Sequence, residues 1–230
     1  MTEPTKSARD WDARYQAVEG GLFGESANEY LRMFCARSDF MEFNTHLGQA
    51  CRVLCLADGD GRNGTWLAQC GYEVTAVDHS AEATRRAIAR DQAAGVTVER
   101  ITADLSDWMP EAGRTWDFAC ILYLHGTRAL RERAVRLAYE TLTHDGWFLL
   151  EGFSKAQADR DAMGPDDPDK LYDGKELRIW LSDALVIEAT SGRLTLEEGR
   201  RHAGEAEVER LVARRRFSAG SGVNPADVWS

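Results

Sequence analysis

The sequence predicts an α/β fold with a mostly parallel sheet of seven strands, helices on both faces and a C-terminal antiparallel hairpin. Five short apolar runs rich in β-forming residues alternate with segments of helical periodicity. This alternation is typical of parallel strands joined by helices. After residue 153 the alternation stops, and two further apolar runs follow without a strong helix between them. Such a pair predicts a hairpin at the edge of the sheet.

Local signals place each element. The predicted parallel strands are Val53–Leu56, Tyr72–Val77, Val96–Ile101, Phe118–Leu122 and Trp147–Phe153. The predicted helices between them are Asn63–Cys70, Ala81–Ala94 and Thr127–Leu142. Ser80 and Thr127 stand where N-cap residues belong, and Asp145-Gly146 predicts a break before the fifth strand.

The remaining segments complete the organisation. A short helix is predicted at Gly174–Leu181, and the hairpin strands at Ala184–Ala189 and Glu207–Ala213. The 230 residues fit one domain of ordinary α/β size. We expect an N-terminal helical cap over residues 1–50, the main domain over 51–216 and a tail over 217–230.

Composition excludes several classes of protein. Hydrophobic residues make up 43% and charged residues 29%, which is typical of a globular chain. Neither a membrane span nor an apolar secretion signal is evident, so we expect a cytoplasmic protein with no membrane partner. A net charge of −10 argues against nucleic acid as a partner. The five cysteines form no C-x-x-C pair, which predicts reduced thiols and no metal site.

A glycine-rich loop follows the first predicted strand. Gly59, Gly61 and Gly64 form G-x-G-x-x-G, and the next strand ends at Asp78, the usual fingerprint of a dinucleotide site. Asp58 and Asp60 lie inside this loop, where each would repel a pyrophosphate by about 4 kcal/mol at 4 Å and intermediate dielectric. S-adenosylmethionine carries no phosphate, has a cationic sulfonium and ammonium, and offers a ribose diol to an acidic acceptor. The loop therefore favours S-adenosylmethionine as the cofactor.

Further blocks of sequence accompany this loop in a fixed order. They are WDARY at Trp11–Tyr15, RVLCLADGDGRNGTWLAQCGYEVTAVDHS at Arg52–Ser80, ADLSDW at Ala103–Trp108, WDFACILYLHG at Trp116–Gly126, THDGWFLLEGF at Thr143–Phe153, GPDDPDKLY at Gly164–Tyr172 and GRRHAGEAEVERLVARR at Gly199–Arg215. Together they resemble the Rossmann-like class I S-adenosylmethionine-dependent methyltransferases, and more narrowly the tellurite-resistance and thiopurine-methyltransferase-like branch. The resemblance covers about residues 11 to 215.

The resemblance implies a set of site residues. Those expected to contact the cofactor are Trp11, Tyr15, Ala57, Asp58, Gly59, Gly61, Asn63, Asp78, His79, Asp104, Leu105 and Ile121. In this set Asp78 would accept hydrogen bonds from the ribose, and Asp104 would take the adenine amino group. Those expected to contact the acceptor are Tyr15, Tyr123, His125 and His202, with His125 as the candidate catalytic base. The alternatives are structural: helix caps for Asp78 and Asp104, and ordinary loop histidines for His79 and His125.

Two positions depart from the family pattern. The broader class usually has an acidic residue where Cys55 stands and a glycine where Ala57 stands. A Cys55 thiol cannot accept hydrogen bonds as a carboxylate does, so we expect the methionine end of the cofactor to be less supported there, or supported by Asp58.

The predicted function is methyl transfer to a small-molecule acceptor, most simply a thiol, a chalcogen oxyanion or a similar soft nucleophile. The Asn-Pro-Pro-Tyr type tetrad of DNA amino-methyltransferases is absent, and Tyr123-Leu124-His125-Gly126 stands in its place. Two alternatives stay open from the residues alone: a nicotinamide-dependent oxidoreductase and a non-catalytic S-adenosylmethionine-binding protein.

Overall fold

The computed structural model describes residues 6–159, 163–199 and 202–216. Three helices come first: α1 (Lys6–Gln16), α2 (Glu29–Cys35) and α3 (Ser38–His46). Strands and helices then alternate: β1 (Arg52–Leu56), α4 (Arg62–Gln69), β2 (Glu73–Asp78), α5 (Ala81–Ala94), β3 (Glu99–Thr102), β4 (Trp116–Leu122), α6 (Arg128–Glu140) and β5 (Leu142–Phe153). Two 3₁₀ turns (Lys155–Asp159 and Pro168–Lys170), α7 (Gly174–Trp180) and the strands β6 (Leu185–Gly199) and β7 (His202–Arg214) follow.

The seven strands form one sheet in the order β3-β2-β1-β4-β5-β7-β6. The first five strands pair in parallel, and β7 pairs antiparallel with both β5 and β6. The predicted mostly parallel sheet with an antiparallel C-terminal hairpin is confirmed. The chain runs outward from β1 to β2 and β3, then crosses back to β4 on the other side of β1. Such a reversal opens a crevice at the carboxyl ends of the strands, where ligands bind in open α/β sheets.

Helices cover both faces of the sheet. On one face, Ala134 and Ala138 of α6 and Trp180 of α7 belong to a buried cluster with the strands. On the other, Phe34 of α2 and Phe40 of α3 pack against strand residues. The predicted cap over residues 1–50 is thus divided: α2 and α3 bury a face of the sheet, and α1 lies beside α5. Within the described part of this cap, α1 brings Trp11 and Tyr15 over the carboxyl end of the sheet, and the loop after α1 adds Phe23.

The local sequence signals predict two helix starts correctly and one turn incorrectly. The Ser80 and Thr127 hydroxyls each accept a backbone N–H of the following helix, so both predicted N-caps are confirmed. The predicted break at Asp145-Gly146 is wrong: β5 already begins at Leu142, and Asp145 has φ of 60° within the strand. Both residues tolerate left-handed backbone, which allows a local irregularity without ending the strand.

The hairpin is much longer than predicted. Its strands continue through a polar stretch as far as Gly199 and resume at His202. Leu194, Leu196 and Ala206 line the inner side of this extension and pack near Phe153. This inward apolar pattern explains why a sequence that looks like a loop pairs as strands. The predicted tail, 217–230, lies outside the described residues. None of the helices in the described part of the chain has the length and apolar composition needed to cross a bilayer.

Candidate active site

A cleft lies at the carboxyl ends of β1, β2 and β4. Parts of the sequence that are far apart supply its walls: α1, the glycine-rich loop, the end of β2, the segment after β4 and the start of β7. The predicted site residues that line it are Trp11, Tyr15, Ala57, Asp58, Gly59, Asn63, Asp78, His79, Tyr123, His125 and His202. The structure therefore brings most of the predicted residues together in one place.

The glycine loop turns through left-handed backbone. Gly59 has φ of 58°, and the hydroxyl of Tyr15 lies directly above it, so that a Cβ at Gly59 would come within 2.4 Å of that oxygen. Gly61 is used differently from the prediction. Its Cα faces Ala87 of α5 and the guanidinium of Arg100, each 2.7 Å from where a Cβ would stand. Gly59 therefore lets the loop meet the cleft, whereas Gly61 lets it pack against the protein.

The two loop carboxylates do not present free negative charge. Asp58 Oδ2 lies 2.5 Å from Arg100 Nη1, and Asp58 also accepts the Gly64 N–H. Asp60 lies 3.8 Å from Arg90 and accepts the Leu22 N–H. The predicted repulsion of a pyrophosphate by these two residues is therefore wrong, because each carboxylate has a cationic partner. Because Asp58 is paired with Arg100, it is not free to take over the role of the acidic residue that the family has at the position of Cys55.

Ala57 occupies the position where the family has glycine, and its φ is 58°. Left-handed backbone costs an alanine roughly 1–2 kcal/mol, while glycine loses about 0.4–1 kcal/mol through its freer unfolded chain. We expect Ala57→Gly to raise the free energy of unfolding in urea by up to about 1 kcal/mol. Ala89→Gly, at an exposed position within α5, is the matched control and should lower it by about 0.5–1 kcal/mol. A lower free energy of unfolding for Ala57→Gly than for wild type would contradict backbone strain at Ala57.

Asp78 ends β2 at the edge of the cleft. Its oxygens accept the backbone N–H groups of Gly59 and Ser80 at 2.9 Å, and 12% of its side chain is exposed. Burial raises the pKa of this carboxyl, and the two backbone donors act against that rise. The hydrogen bonds from the Gly59 and Ser80 N–H groups do not use all the lone pairs of the carboxylate. These features fit a ribose diol, because a carboxylate with spare acceptor capacity stands beside a glycine cradle.

Four predicted cofactor residues lie outside the cleft lining. Gly61 packs against Ala87 and Arg100. Asp104 accepts the Ser106 N–H in the turn after β3, and no helix begins there, so it is not the helix cap that was its alternative. Leu105 is buried in the core. Ile121 is fully buried, and the cleft is lined one residue further along, by Leu122, Tyr123 and Leu124. Side chains alternate along a strand, so Ile121 points into the helix-covered core instead.

Aromatic rings surround His125 and form the inner wall of the cleft. The His125 ring stacks on Phe153 with centroids 5.3 Å apart, and Tyr123 meets His202 at 4.2 Å. Phe23 lies 4.8 Å from His202. These residues also line a second, wider cleft, and Phe23, Tyr123, His125 and His202 are shared with the lining of the first. A chamber with an aromatic inner wall and a charged outer lining, which includes Arg14 and Lys170, thus adjoins the glycine loop.

Several polar atoms in this chamber are buried without a hydrogen bond of normal length to a described residue. They are the Tyr123 hydroxyl, both ring nitrogens of His125 and Nδ1 of His202. Burial lowers the pKa of His125 to about 3, so its imidazole is neutral at neutral pH. A buried polar group without a hydrogen bond costs roughly 1–3 kcal/mol. Several such atoms at one cleft indicate a place where a ligand or water completes the hydrogen bonding.

A buried polar network closes the side of the site, and the sequence did not reveal it. Glu198, at the end of β6, receives hydrogen bonds from Arg62 at 2.7 Å and from Asn28 at 2.8 Å. Asn28 also bonds Glu151, which is paired with Arg210 at 2.6 Å. The network ties the tip of the hairpin to α4 and to the start of α2. A carboxylate at the end of a long hairpin cannot be assigned to the site until the length of that hairpin is known.

Comparison with known proteins agrees with this geometry. Residues 53–146 match the family model described as a methyltransferase domain. None of the curated proteins compared with the sequence matches it. TehB from Haemophilus influenzae has a similar structure, with 19% identity and a TM-score of 0.58 over 78% of this chain. This match spans 62% of the TehB chain, which is less than two thirds of its length.

Two other solved structures match over more of the chain. The N-methyltransferase NodS from Bradyrhizobium japonicum WM9, in complex with S-adenosyl-L-homocysteine, is 12% identical with a TM-score of 0.61, over 93% of this chain and 100% of NodS. The [4+2]-cyclase SpnF is 14% identical with a TM-score of 0.64, over 95% of this chain and 98% of SpnF. At these identities the likeness shows the fold, and the domain match gives the chemistry. The match over residues 53–146 therefore indicates a methyltransferase domain, and with it an enzyme that uses S-adenosylmethionine as its cofactor.

Proposed function

We propose that the protein transfers a methyl group to a small-molecule thiol or a related soft nucleophile. The observation that supports this proposal most strongly is the aromatic chamber beside the glycine loop. Tyr123, His125 and His202 line both clefts, so an acceptor bound among them lies next to the cofactor. The order of the sequence blocks supports the tellurite-resistance and thiopurine-methyltransferase-like branch.

The charges around the chamber favour a neutral acceptor over an oxyanion. His125 is uncharged at neutral pH, and burial also lowers the pKa of His202. The buried arginine closest to His202, Arg62, is already paired with Glu198 at 2.7 Å. Arg14 and Lys170 line only the outer, exposed part of the wider cleft, so an anionic acceptor held among Tyr123, His125 and His202 would lose hydration without gaining a buried cationic partner there. Within the proposed class, a thiol fits this chamber better than a chalcogen oxyanion.

The chain's own residues would hold the reactants in line and exclude water. When bound, S-adenosylmethionine supplies a methyl group on a sulfonium that is already a good leaving group. We propose that Asp78 and the Gly59 backbone orient the cofactor, with Tyr15 and Trp11 closing over it. Tyr123 and His125 would position the acceptor. Holding two reactants at near-attack geometry supplies most of the rate in such a reaction.

A methyl-release assay tests the proposal. The purified protein and S-adenosylmethionine would be combined with an aromatic thiol, an aliphatic thiol, a phenol, an amine and tellurite, and S-adenosylhomocysteine would be measured. We expect turnover above background with thiols, strongest for the aromatic one. Cofactor binding by calorimetry without turnover of any acceptor would contradict the proposed function and favour a non-catalytic binding protein. Binding of NAD in place of S-adenosylmethionine would contradict the cofactor as well.

The pKa of His125 can be tested through stability. An unfolded histidine titrates near pH 6.5, whereas the folded pKa is lowered to about 3 by burial. The unfolded state therefore binds more protons below pH 6.5, and stability is lost as pH falls toward 3. This one group should lower the free energy of unfolding by about 2 kcal/mol between pH 7.5 and 5.

The variant His125→Gln should lack this loss. In urea unfolding, the stability difference between wild type and His125→Gln should shift by about 2 kcal/mol in favour of the variant from pH 7.5 to 5. His46→Gln, at an exposed position near the end of α3, is the control for general effects. Parallel pH curves for wild type and His125→Gln would show that His125 is not a buried neutral imidazole.

A further inference from the structure

The tip of the β6–β7 hairpin places a carboxylate behind a histidine in the acceptor chamber. Glu198 is at the end of β6, and His202 is the first residue of β7. Glu198 Oε2 lies 3.7 Å from His202 Nδ1, and the two side chains are only 6% and 3% exposed. The His202 ring lines both clefts. The pair therefore faces the site although its backbone belongs to the last two strands at one side of the sheet.

Glu198 is held rigidly and stays ionised. Oε2 accepts from Arg62 at 2.7 Å, and Oε1 accepts from the Asn28 side chain at 2.8 Å and the Glu29 N–H at 2.9 Å. Burial by itself would raise the pKa of Glu198, but His202, Arg62 and the Glu29 N–H outweigh it and lower the pKa to about 2. A fixed carboxylate with several donors keeps its orientation when the neighbouring charge changes.

The His202 ring is equally constrained. Phe23 and Tyr123 contact it at 4.8 and 4.2 Å, and Phe153 meets it edge-on at 5.5 Å. Because Nδ1 is turned toward Glu198, Nε2 is the nitrogen that can face an acceptor. At 3.7 Å the contact with Glu198 is longer than a hydrogen bond. Catalytic hydrogen bonds of this kind are often long in a free enzyme and tighten when the charge develops.

The charged and titratable groups around His202 come from several elements. Glu198 on β6 and Glu151 on β5 favour its protonated form, and Arg62 on α4 opposes it. Tyr123 and His125, from the segment after β4, are its uncharged neighbours. Burial lowers the pKa of His202, so the free imidazole is the base form at neutral pH.

His125 has weaker support. Burial opposes its protonation and outweighs the Lys170 backbone, which favours it, and with His202 and Arg131 also opposing the charged form its pKa is about 3. No carboxylate of the described residues is ion-paired with His125 in the way that Glu198 faces His202. A base must hold the proton it takes, so the histidine beside a fixed carboxylate is the stronger candidate.

We infer that His202 is the general base of the reaction and that Glu198 is its positioning residue, so that the acceptor enters as a neutral X–H nucleophile. This inference rests on the proposed methyl transfer. His202 Nε2 takes the acceptor proton, and the electron pair of that X–H bond becomes the pair that forms the bond to the methyl carbon. The methyl–sulfur bond breaks with its electrons on sulfur, which leaves as a neutral thioether. His202 then releases the proton to water.

Histidine NMR tests the pair without any turnover. In the intact protein labelled with ¹⁵N-histidine, we expect His202 to carry its proton on Nδ1 and to have a bare Nε2 at neutral pH. Glu198→Gln should lower the pKa of His202 by about one unit or more, since a nearby opposite charge favours the charged form. Glu197→Gln, on the same strand with an exposed side chain, should leave that pKa unchanged. A proton on Nε2, or an unchanged pKa in Glu198→Gln, would overturn the positioning role.

Kinetics test the base itself. With whichever acceptor the methyl-release assay identifies, His202→Gln should lower kcat by about 10²–10⁴-fold at pH values where the acceptor is protonated. The deficit should shrink toward none as the pH rises through the acceptor's own pKa, because an ionised acceptor needs no base. A deficit that stays constant with pH, in a variant with a normal melting temperature, would overturn the inference. Absence of turnover with every acceptor would instead overturn the proposed function. The NMR result would still decide whether Glu198 positions His202.

Discussion

Arg100→Met should lower the free energy of unfolding by about 3–5 kcal/mol, the largest effect expected in this protein. Arg100 is 5% exposed and joins two carboxylates: Asp58 at 2.5 Å and Asp91 at 2.9 Å. It also donates to the Thr65 hydroxyl at 3.1 Å. Methionine removes the cation and leaves two buried carboxylates uncompensated. Urea unfolding at pH 7 measures the loss.

Two further measurements identify the cause. The carboxylates left behind would bind protons more readily in the folded state than in the unfolded state, so the deficit of Arg100→Met should shrink as the pH is lowered from 7 to 5. Arg114→Met is the matched control. Arg114 pairs with Glu99 at the surface, with about a third of its side chain exposed, and such pairs contribute about 0–1 kcal/mol. Equal losses in the two variants would mean that charge burial at Arg100 does not matter.

Arg100 also shows which part of the site a sequence pattern misses. Asp58 and Asp60 were visible as acids in a glycine loop, but their partners come from β3 and α5, which lie 30 or more positions later in the chain. Ion pairing across such a distance leaves no local periodicity. The cofactor was predicted correctly, yet the electrostatic reason given for it does not hold in the folded protein.

The parallel half of the fold was predictable because its signals are local. Strand and helix periodicities, with Ser80 and Thr127 as caps, fix β1 to β5 to within a few residues, except that β5 begins five residues early. The hairpin was not predictable at its true length, because its far half is polar on one side. That half carries Glu198 and His202 into the cleft. From the sequence, only the family resemblance places His202 near the site. Nothing in the sequence places Glu198 there.

Asp78→Ala should weaken S-adenosylmethionine binding by about 10- to 150-fold, which corresponds to a loss of about 1.5–3 kcal/mol for hydrogen bonds to a charged acceptor. The carboxylate lines the cleft beside Gly59 and has acceptor capacity beyond the Gly59 and Ser80 N–H groups. Titration calorimetry with S-adenosylmethionine and S-adenosylhomocysteine measures the change. Asp39→Ala, at an exposed surface position on α3, is the control and should bind like wild type.

The loop contacts of Asp78 require a second variant, because alanine also removes the acceptor for the Gly59 and Ser80 N–H groups. Asp78→Asn keeps one carbonyl oxygen for one of the two loop N–H groups, and it loses the negative charge that a ribose diol would meet. If Asp78 binds the ribose, Asp78→Asn should be destabilised less than Asp78→Ala and still lose most of the affinity. Because burial raises the pKa of Asp78, wild-type affinity should also fall at mildly acidic pH, and that fall should be absent in Asp78→Asn. An asparagine variant that binds the cofactor as wild type does, at every pH, would reduce Asp78 to a cap for the loop.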